Sequence, residues 1–362
     1  SRQQHQTILQ LDLAALRQNF LTYQQRVAAG MIVMVKASAY GSGSLPVARS
    51  LAHLGADYLA VAYPDEGRTL REGGLMLPIM VLNAEPDSFA RCQADQLEPV
   101  VHTTTALQRA RAYGLRVHLE IDTGMARLGF QPTDLPPLLE LLSAEDYSNI
   151  IASIFTHLAA SEATEHDAFT LQQVDTFTTS YEQIVRVLAC RPPRHLLNSN
   201  GIARFPEFAY EYVRLGIGLY GIGDATLAAE LQPALRLSTF ITRVYSRQAG
   251  ESISYGRRGR LARDSRIAVL PLGYADGLPR LAGEGRFSVY IDGQVAPTIG
   301  AVCMDMTMVD VTDLPAYITA GTEVVLFGPE HPIALLAAAA QTIPYEVLTG
   351  IGNRVHRIYS EE

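Results

Sequence analysis

An α/β fold, in which a (β/α)8 barrel precedes a mainly antiparallel β domain, is predicted by two patterns in the 362-residue chain. Short apolar segments first alternate with helical patterns, and eight such β/α units are what a closed parallel barrel requires. Strand-like segments then follow one another without intervening helices. We expect a TIM-like barrel over residues 10–225. We expect the β domain to comprise residues 226–362 together with an N-terminal strand within residues 1–12.

The strands of the barrel are predicted from short, continuous apolar runs, which are typical of parallel strands buried on both faces. A first strand at residues 7–12 alternates apolar and polar residues and leads into a helical pattern at 13–27. The eight barrel strands are predicted at residues 31–35, 58–62, 79–82, 99–102, 116–121, 150–155, 195–198 and 212–216. Further helices are predicted at residues 46–54, 65–72, 106–113, 135–142 and 168–188.

The β domain is predicted from strand-like segments that begin after about residue 225. These strands are predicted at residues 239–245, 266–271, 287–291, 294–298, 306–311 and 323–327. Asp292-Gly293 lies between two of them and is a strong hairpin signal. A short helix is predicted at residues 332–339.

Composition excludes several classes of protein. The net charge of −8 argues against a general nucleic-acid binder, which usually has a basic face. No apolar run approaches the roughly 20 residues of a membrane span, and no signal peptide precedes the first strand. The three cysteines, Cys92, Cys190 and Cys303, are too few and too scattered for a disulfide framework or a zinc site. We expect a protein of a reducing cytoplasm with no bound metal.

The segment around Lys36 carries the strongest chemical signal. Lys36 follows five apolar residues, and a charged ammonium is costly to bury without a partner. Gly41-Ser42-Gly43 follows shortly and lets backbone approach a ligand closely. A half-buried lysine with a lowered pKa is what a Schiff-base enzyme requires. The alternative is a strand-end lysine that extends into solvent.

Polar residues also follow four other predicted barrel strands. They lie at residues 120–129, 156–157, 198–201 and 214–221. Because catalytic groups of such barrels lie at the carboxyl ends of the strands, these residues are expected to meet at one rim. Each of them alone could be a capping or turn residue.

These segments resemble motifs of the alanine racemase family. Val-Lys-Ala-Ser-Ala-Tyr-Gly-Ser-Gly at 35–43 is similar to the motif that holds the cofactor lysine, and Asp-Thr-Gly-Met-Ala-Arg-Leu-Gly at 122–129 is a specific family signature. Ser-Tyr-Gly at 254–256, residues 272–277 and residues 302–305 match three further motifs in the family's order. The resemblance covers essentially the whole chain, and it implies pyridoxal 5'-phosphate as cofactor and a small amino acid as substrate.

The resemblance also implies roles for individual residues. Lys36 and Tyr255 are expected to be the two bases, Lys36 for the D-substrate and Tyr255 for the L-substrate. Residues expected to contact the cofactor are Lys36, Tyr40, His157, Ser199, Arg214, Gly216, Ile217 and Asn353. Residues expected to contact the substrate are Arg127, Met304, Tyr274 and Asp305, with Glu120 and Cys303 in support. Arg214 is expected to face the pyridine nitrogen and to leave it unprotonated, because an arginine only donates.

Family members of this kind share their active sites between two subunits. We therefore expect a homodimer in which Tyr255 serves the partner's site, and D-alanine as a product for peptidoglycan synthesis. Residues 1–6 and the variant motif at 35–44 also resemble racemase domains fused behind a muramoyl-peptide ligase, so a ligase domain upstream of Ser1 is a further expectation.

Two residues depart from the family pattern. Glu120 stands where many relatives carry a carbamylated lysine, and we expect it to pair with Arg127; a solvated rim glutamate is the alternative. Asn353 replaces a common tyrosine, which leaves open a serine racemase or a broader small-amino-acid racemase. A pyridoxal-phosphate decarboxylase and a non-catalytic cofactor-binding barrel are less favoured, the latter because such barrels lack a C-terminal domain with a residue like Tyr255.

Overall fold

The computed structural model describes residues 6–188 and 190–361. The chain divides into two compact units. The barrel unit contains residues 17–39 and 44–231, and the C-terminal unit contains residues 6–16, 40–43 and 232–361. Residues 1–5, on which most of the expected ligase linker falls, lie outside the described residues.

The barrel unit is built on one sheet of eight parallel strands. After β1 (Ile8–Asp12), which belongs to the other unit, the barrel strands are β2 (Gly30–Met34), β3 (Tyr58–Val61), β4 (Ile79–Val81), β5 (Glu98–Val101), β6 (Val117–Glu120), β7 (Ile151–Phe155), β8 (Arg194–His195) and β9 (Tyr212–Leu215). Their order in the sheet is β8-β7-β6-β5-β4-β3-β2-β9. Between the two end strands, the Arg214 N–H donates to Leu197 O at 2.9 Å, so the barrel is nearly closed. The predicted barrel is confirmed.

Helices connect the strands of this barrel. In chain order they are α1 (Leu13–Arg26), α2 (Ser44–His53), α3 (Pro64–Glu72), α4 (Phe89–Ala94), α5 (Thr104–Ala112), α6 (Leu135–Ala144), α7 (Asp167–Leu188) and α8 (Ser199–Arg204). Helices α4 and α8 were not predicted, because six residues are too few for a helical period to show. All five residues of β7 and all four of β3, β6 are buried, which explains the continuous apolar runs.

The C-terminal unit contains three smaller sheets. Its strands after β1 are β10 (Leu235–Phe240), β11 (Arg243–Arg247), β12 (Ser252–Ile253), β13 (Gly259–Arg260), β14 (Ser265–Leu270), β15 (Ser288–Ile291), β16 (Gln294–Pro297), β17 (Thr307–Asp310), β18 (Glu323–Phe327) and β19 (His356–Ser360). The sheet orders are β16-β15-β18-β10-β1-β19, β11-β14-β17 and β12-β13. All pairs are antiparallel except β1 with β19. Helices α9 (Ile333–Ala339) and α10 (Pro344–Thr349) complete the unit.

One strand prediction in this unit was wrong. Residues 239–245 are not one strand but the end of β10 and the start of β11, which belong to different sheets. Ile241 N donates to Thr322 O, and Thr242 N donates to Val269 O, both at 2.9 Å. The chain therefore passes from one sheet to another between these two residues, and an uninterrupted β pattern does not reveal such a crossing.

The predicted hairpin at Asp292-Gly293 is confirmed. Both residues have positive φ, 44° and 82°, as a two-residue turn of this kind requires. The turn joins β15 to β16 in antiparallel register. None of the helices in the described ranges combines the length and apolar character needed to cross a membrane.

Candidate active site

Lys36 lies directly after β2, at the carboxyl-terminal end of the barrel strands. Its side chain is half-buried. Burial lowers the pKa of its amine, the charges of Arg127 and Arg214 lower it further, and Glu66 opposes them. The amine is therefore uncharged over a wider pH range than that of an ordinary lysine. An uncharged amine is the form that can attack a carbonyl or accept a proton.

The backbone after Lys36 forms one left-handed turn. Ala37, Ser38, Ala39 and Tyr40 have φ between 51° and 55°. Each such residue costs roughly 1–2 kcal/mol when it is not glycine. The strand therefore ends abruptly at the lysine, and the chain turns away from the barrel axis within four residues.

Glu66 holds the beginning of this turn. Its Oε1 accepts a hydrogen bond from Ala37 N at 2.6 Å, and its Oε2 accepts from Ala62 N and Tyr63 N at 2.7 and 3.0 Å. The same carboxylate therefore caps α3 and fixes the peptide that follows Lys36.

Arg214 lies at the end of β9 and is almost completely buried, with 3% of its surface exposed. Its guanidinium donates to Thr156 O at 2.7 Å, to His195 Nδ1 at 2.5 Å and to His157 Nδ1 at 3.2 Å. It also lies over the ring of Phe155, 5.0 Å from the ring centroid. Burial lowers the pKa of Arg214 to about 10, with Glu120 opposing and Arg127 adding to the shift. Arg214 is therefore a cation at neutral pH and a donor in every contact.

His157 follows β7 and faces the same arginine. Burial, followed by the charges of Arg214, Arg127 and Lys36, holds the pKa of its imidazole well below the usual value. The ring is therefore neutral, and its Nδ1 accepts from Arg214.

Glu120 is the last residue of β6, and Arg127 lies on the connection that follows this strand. Glu120 is buried, and burial raises its pKa while Arg127 and Arg214 oppose the rise. Arg127 is exposed at the tip of a loop that Asp122 shapes by accepting from Gly124 N and Ala126 N, at 2.9 and 3.1 Å. Among the described side chains, no hydrogen bond or ion pair joins Glu120 to Arg127.

Ser199, Gly216 and the turn that begins at Ile217 form a cradle of donors. The Ser199 hydroxyl accepts from Gly216 N at 3.1 Å and from Gly218 N at 3.2 Å. Gly218 tolerates no side chain, because a Cβ there would lie 2.5 Å from the ring of Tyr23. The two N–H groups thus converge on the Ser199 hydroxyl oxygen, and a hydroxyl together with two backbone N–H groups suits an anionic oxygen such as that of a phosphate.

In the C-terminal unit, Tyr40 is buried and Tyr255 is exposed. The ring of Tyr40 lies 6.1 Å from that of Tyr345, and burial raises the pKa of its phenol well above the usual value. Tyr255 has 72% of its surface exposed. The residue before it, Ser254, has φ 66° and donates to Ala301 O at 2.7 Å, with its hydroxyl 3.6 Å from Cys303 Sγ.

Two loops that carry Tyr274, Met304 and Asp305 are held together by backbone contacts. Tyr274 N donates to Cys303 O, and Ala275 N donates to Met304 O, both at 3.0 Å. Gly273 permits this approach, because a Cβ there would lie 2.2 Å from Cys303 O.

An ion-pair network joins these loops to the segment that carries Asn353. Asp276 is completely buried and accepts from Arg354 at 2.6 and 3.0 Å and from Gly273 N at 2.8 Å. Arg354 also donates to Asp305 at 2.7 Å, while Asn353 beside it is exposed. Within this unit, the structure therefore brings the three predicted loops together. Tyr255 and Tyr274 also line one surface concavity with Arg280 and Val302.

Two family models account for most of the chain. One is described as the N-terminal domain of alanine racemase and matches residues 11–224, and the other as its C-terminal domain and matches residues 234–359. The chain belongs to the alanine racemase family. The resemblance inferred from the motifs is thereby confirmed, and the protein is classed with isomerases of amino acids.

Individual relatives agree with this assignment. An alanine racemase of Clostridium novyi (strain NT) is 37% identical over 349 residues, which cover 91% of this chain and 88% of that protein. One of Desulfovibrio desulfuricans is 33% identical over 372 residues and covers 97% of both chains.

Solved structures of the family share the whole fold. The alanine racemase of Streptomyces lavendulae superposes with a TM-score of 0.92 at 29% identity, covering 100% of this chain and 98% of that one. That of Bartonella henselae, described with covalently bound pyridoxal phosphate, has a TM-score of 0.89 at 27% identity, covering 98% and 99%.

Sequence reasoning missed several residues of the site. Glu66 and His195 contact the groups around Lys36 and Arg214, and Asp276 and Arg354 hold the loops of the C-terminal unit together. The available signal for His195 was a histidine at the start of a predicted buried strand. Asp276 and Arg354 are 78 positions apart, so no local pattern could pair them.

Proposed function

We propose that the protein interconverts L-alanine and D-alanine, with pyridoxal 5'-phosphate as cofactor. The observation that carries this proposal is Lys36, a half-buried lysine with a lowered pKa, placed beside Arg127 and Arg214 at the rim of the barrel. The donor cradle at Ser199 and Gly216 lies in the same unit. Relatives named alanine racemase at 32–37% identity over nearly the full length support the choice of substrate.

The residues present fit the cofactor. Lys36 would hold it covalently, Ser199, Gly216 and Ile217 would hold its phosphate, and Arg214 would donate to its ring nitrogen. When bound, pyridoxal phosphate withdraws electrons from the substrate and so acidifies the Cα–H bond. Because Arg214 is a cation that only donates, it leaves the ring nitrogen unprotonated, which limits competing reactions.

Two bases move the proton. Lys36 accepts the Cα proton of the D-substrate, and Tyr255 accepts that of the L-substrate; each returns a proton in the opposite direction. Arg127 binds the substrate carboxylate with its planar fork of donors.

The remaining predicted residues have supporting roles in this proposal. Tyr40, His157 and Asn353 act on the cofactor side. Met304, Tyr274 and Asp305 shape the substrate side from the loops of the C-terminal unit. Buried Glu120 interacts electrostatically with Arg127 and Arg214, and Cys303 supports Ser254 ahead of Tyr255.

The proposal includes an obligate homodimer in which Tyr255 acts in the partner's active site. The support is that Tyr255 has 72% of its surface exposed, whereas a catalytic base acts on Cα from an enclosed position. The partner subunit would provide that enclosure. Lys36→Ala and Tyr255→Phe proteins are mixed and allowed to exchange subunits. Activity should recover, because in each heterodimer one of the two sites carries both bases. No recovery would contradict shared sites.

A bacterial cytoplasmic location and a supply of D-alanine for peptidoglycan belong to the same proposal, as does an upstream ligase domain.

Chiral chromatography tests the reaction. The protein with pyridoxal phosphate is incubated separately with L-alanine and L-serine, and D-alanine is expected to form far faster than D-serine. No D-isomer from either substrate would contradict a racemase.

A second candidate, a broader small-amino-acid racemase, is favoured by the exposed Asn353. Comparable rates with alanine and serine would support it, and Asn353→Tyr should then lower the serine-to-alanine ratio.

A further inference from the structure

A row of buried polar side chains crosses the interior of the barrel unit and ends at Arg214. Glu98 Oε2 lies 3.1 Å from His118 Nε2, and His118 Nδ1 lies 2.6 Å from Ser153 Oγ. Ser153 Oγ lies 2.8 Å from His195 Nε2, and His195 Nδ1 lies 2.5 Å from Arg214. The exposed fractions are 1% for His118, 1% for Ser153 and 0% for His195, so no solvent competes for these hydrogen bonds.

The direction of each hydrogen bond in this row follows from its Arg214 end. A guanidinium only donates, so His195 Nδ1 must accept. Burial and the charge of Arg214 hold the pKa of His195 well below its usual value, so the ring is neutral and its proton is on Nε2. His195 therefore donates to Ser153 Oγ.

The same logic fixes the other half of the row. Ser153 accepts from His195, so its own hydroxyl proton points to His118 Nδ1, which accepts. His118 then carries its proton on Nε2. This atom lies 3.1 Å from Glu98 Oε2 but not in hydrogen-bond geometry, so the contact with Glu98 is electrostatic. With a proton on His118 Nδ1 instead, the Ser153 oxygen would accept from both rings, and its own hydroxyl proton would have no acceptor among the described groups.

Glu98 is suited to end the row as a negative charge. Burial alone would raise its pKa, but its contacts with His118, Arg116 and Tyr58 lower it overall, so it is a carboxylate. Tyr58 donates to Oε2 at 3.0 Å, and Arg116 donates to Oε1 at 3.3 Å. Both ends of the row are thus charged groups of opposite sign, and they define one direction for all the protons between them.

We propose that His118, Ser153 and His195 form a one-directional hydrogen-bond chain that positions Arg214, with the Glu98 carboxylate as the charge at its far end. Its role is to fix the Nε2–H tautomer of His195 and thereby to hold one edge of the guanidinium in place. The ring of His195 is stacked on that of Phe155, with centroids 4.7 Å apart and a 9° angle between planes, and Arg214 also lies over the Phe155 ring. Packing thus fixes the position of the His195 ring, and only its tautomer is left to be determined by hydrogen bonds.

None of these four side chains is a catalytic residue, since their contacts lead only to Arg214. The proposal goes beyond the racemase assignment. Its effect on turnover rests on the proposed role of Arg214, but the tautomers themselves do not.

The first test is nitrogen NMR of the full-length holoenzyme labelled with ¹⁵N-histidine, at pH 8. His118 and His195 should both show the shift pattern of a neutral ring protonated at Nε2, whatever reaction the protein catalyses. A proton on Nδ1 of either ring, or a doubly protonated ring, would overturn the proposed chain. Arg214→Leu serves to assign the His195 signals.

The second test asks whether the chain positions Arg214. Ser153→Ala removes the central link and should lower kcat about threefold to tenfold, with KM for alanine unchanged, and shift the absorption maximum of the bound cofactor. Ser153→Thr keeps the hydroxyl and should restore both. Ser180→Ala is the matched control, because Ser180 is equally buried but bonds only to its own helix, at Thr176 O.

Glu98 supplies an independent pair of variants. Glu98→Gln keeps a side-chain oxygen near His118 and should preserve both tautomers, whereas Glu98→Leu should give a mixture of His118 tautomers. If Ser153→Ala and Glu98→Leu proteins match the Ser180→Ala protein in kcat, spectrum and tautomers, the positioning role is wrong. Such a result would leave the racemase assignment intact.

Discussion

The two units present their candidate site residues in opposite ways. In the barrel unit, Lys36 is half-buried and Arg214 is 3% exposed, so burial and neighbouring charges set their protonation. In the C-terminal unit, Tyr255 is 72% exposed and Met304 54% exposed. The chemistry of Lys36 and Arg214 is thus adjusted within their own unit, whereas Tyr255 and Met304 are left exposed by theirs, although Tyr40 of the same unit is buried.

The means of support differ as well. Barrel residues are fixed at the ends of buried strands, where backbone ladders set their positions. The loops of the C-terminal unit depend instead on one buried carboxylate, Asp276, and on Arg354. Substitutions should therefore affect protonation in the barrel and loop position in the C-terminal unit.

The largest effect is expected for Lys36→Ala. It removes both the covalent anchor and one of the two bases, so racemase activity should fall by at least about a thousandfold. The measurement is the rate of D-alanine formation together with the cofactor absorbance of the dialysed protein. Retention of a cofactor that borohydride can fix to the protein would show that another residue is the anchor.

Tyr255→Phe should separate the two faces of the substrate. Exchange of the Cα hydrogen of L-alanine with deuterated water should slow by about a hundredfold, because its base is missing. Exchange of D-alanine should continue, since Lys36 is intact. Proton NMR of the two enantiomers, incubated separately, measures both rates. Equal slowing of both would contradict the assignment of one base to each face.

Arg354→Leu tests the support of the C-terminal loops. It removes both hydrogen bonds that Arg354 donates to the buried carboxylate of Asp276 and should therefore lower the free energy of unfolding. The loss should be smaller than for a fully buried pair, because the Arg354 side chain is 43% exposed. Urea denaturation measures the change. Arg68→Leu, which breaks an exposed pair with Glu72, is the control and should lower the urea midpoint less than Arg354→Leu does.

Arg127→Gln should change the barrel site in a defined direction. The charge of Arg127 lowers the pKa of Lys36, so its removal should raise that pKa. The pH at which half of the apoprotein is trapped by pyridoxal phosphate and borohydride should therefore increase. The control is Arg116→Gln, at the start of the barrel strands, which should not change this midpoint pH. A midpoint for Arg127→Gln equal to that of the unsubstituted protein would contradict the electrostatic account.

The smallest effect concerns the left-handed turn. Ser38 has φ 55°, a conformation that glycine adopts freely, so Ser38→Gly should raise the free energy of unfolding by about 0.5–1 kcal/mol. The same substitution at Ser50 inside α2 should lower it by about as much, because glycine is a poor helix former. Thermal or urea unfolding of the two variants measures the pair, and equal signs would contradict the strain argument.

The barrel could be predicted from the sequence because most of its strands are short and largely apolar, and β3, β4 and β7 are buried at every residue. The turn Asp292-Gly293 was equally plain, since its residue types suit the required positive φ. Strands β12 and β13 were missed because each is only two residues long. Strand β19 was missed because it is rich in polar and exposed residues.

Prediction of the site was limited in a different way. Residues next to strand ends could be named from motifs, but their partners are distant in sequence. His195 meets Arg214 across 19 positions, and Glu66 meets Ala37 across 29. Because the sheet sets such distances, only the folded chain shows that Arg214 is surrounded by acceptors and that no direct pair joins Glu120 to Arg127 in the described region.

The position of β1 has a consequence for the order of folding during synthesis. β1 lies between β10 and β19 and pairs in parallel with β19, so residue 8 must meet residue 356. All residues of the barrel unit are synthesised well before β19. During synthesis the barrel unit can therefore form before β19 exists, and until β19 pairs with it, β1 has an unpaired edge open to other strands. A chaperone that shields this edge until the last strand arrives would reduce misassembly of the nascent chain.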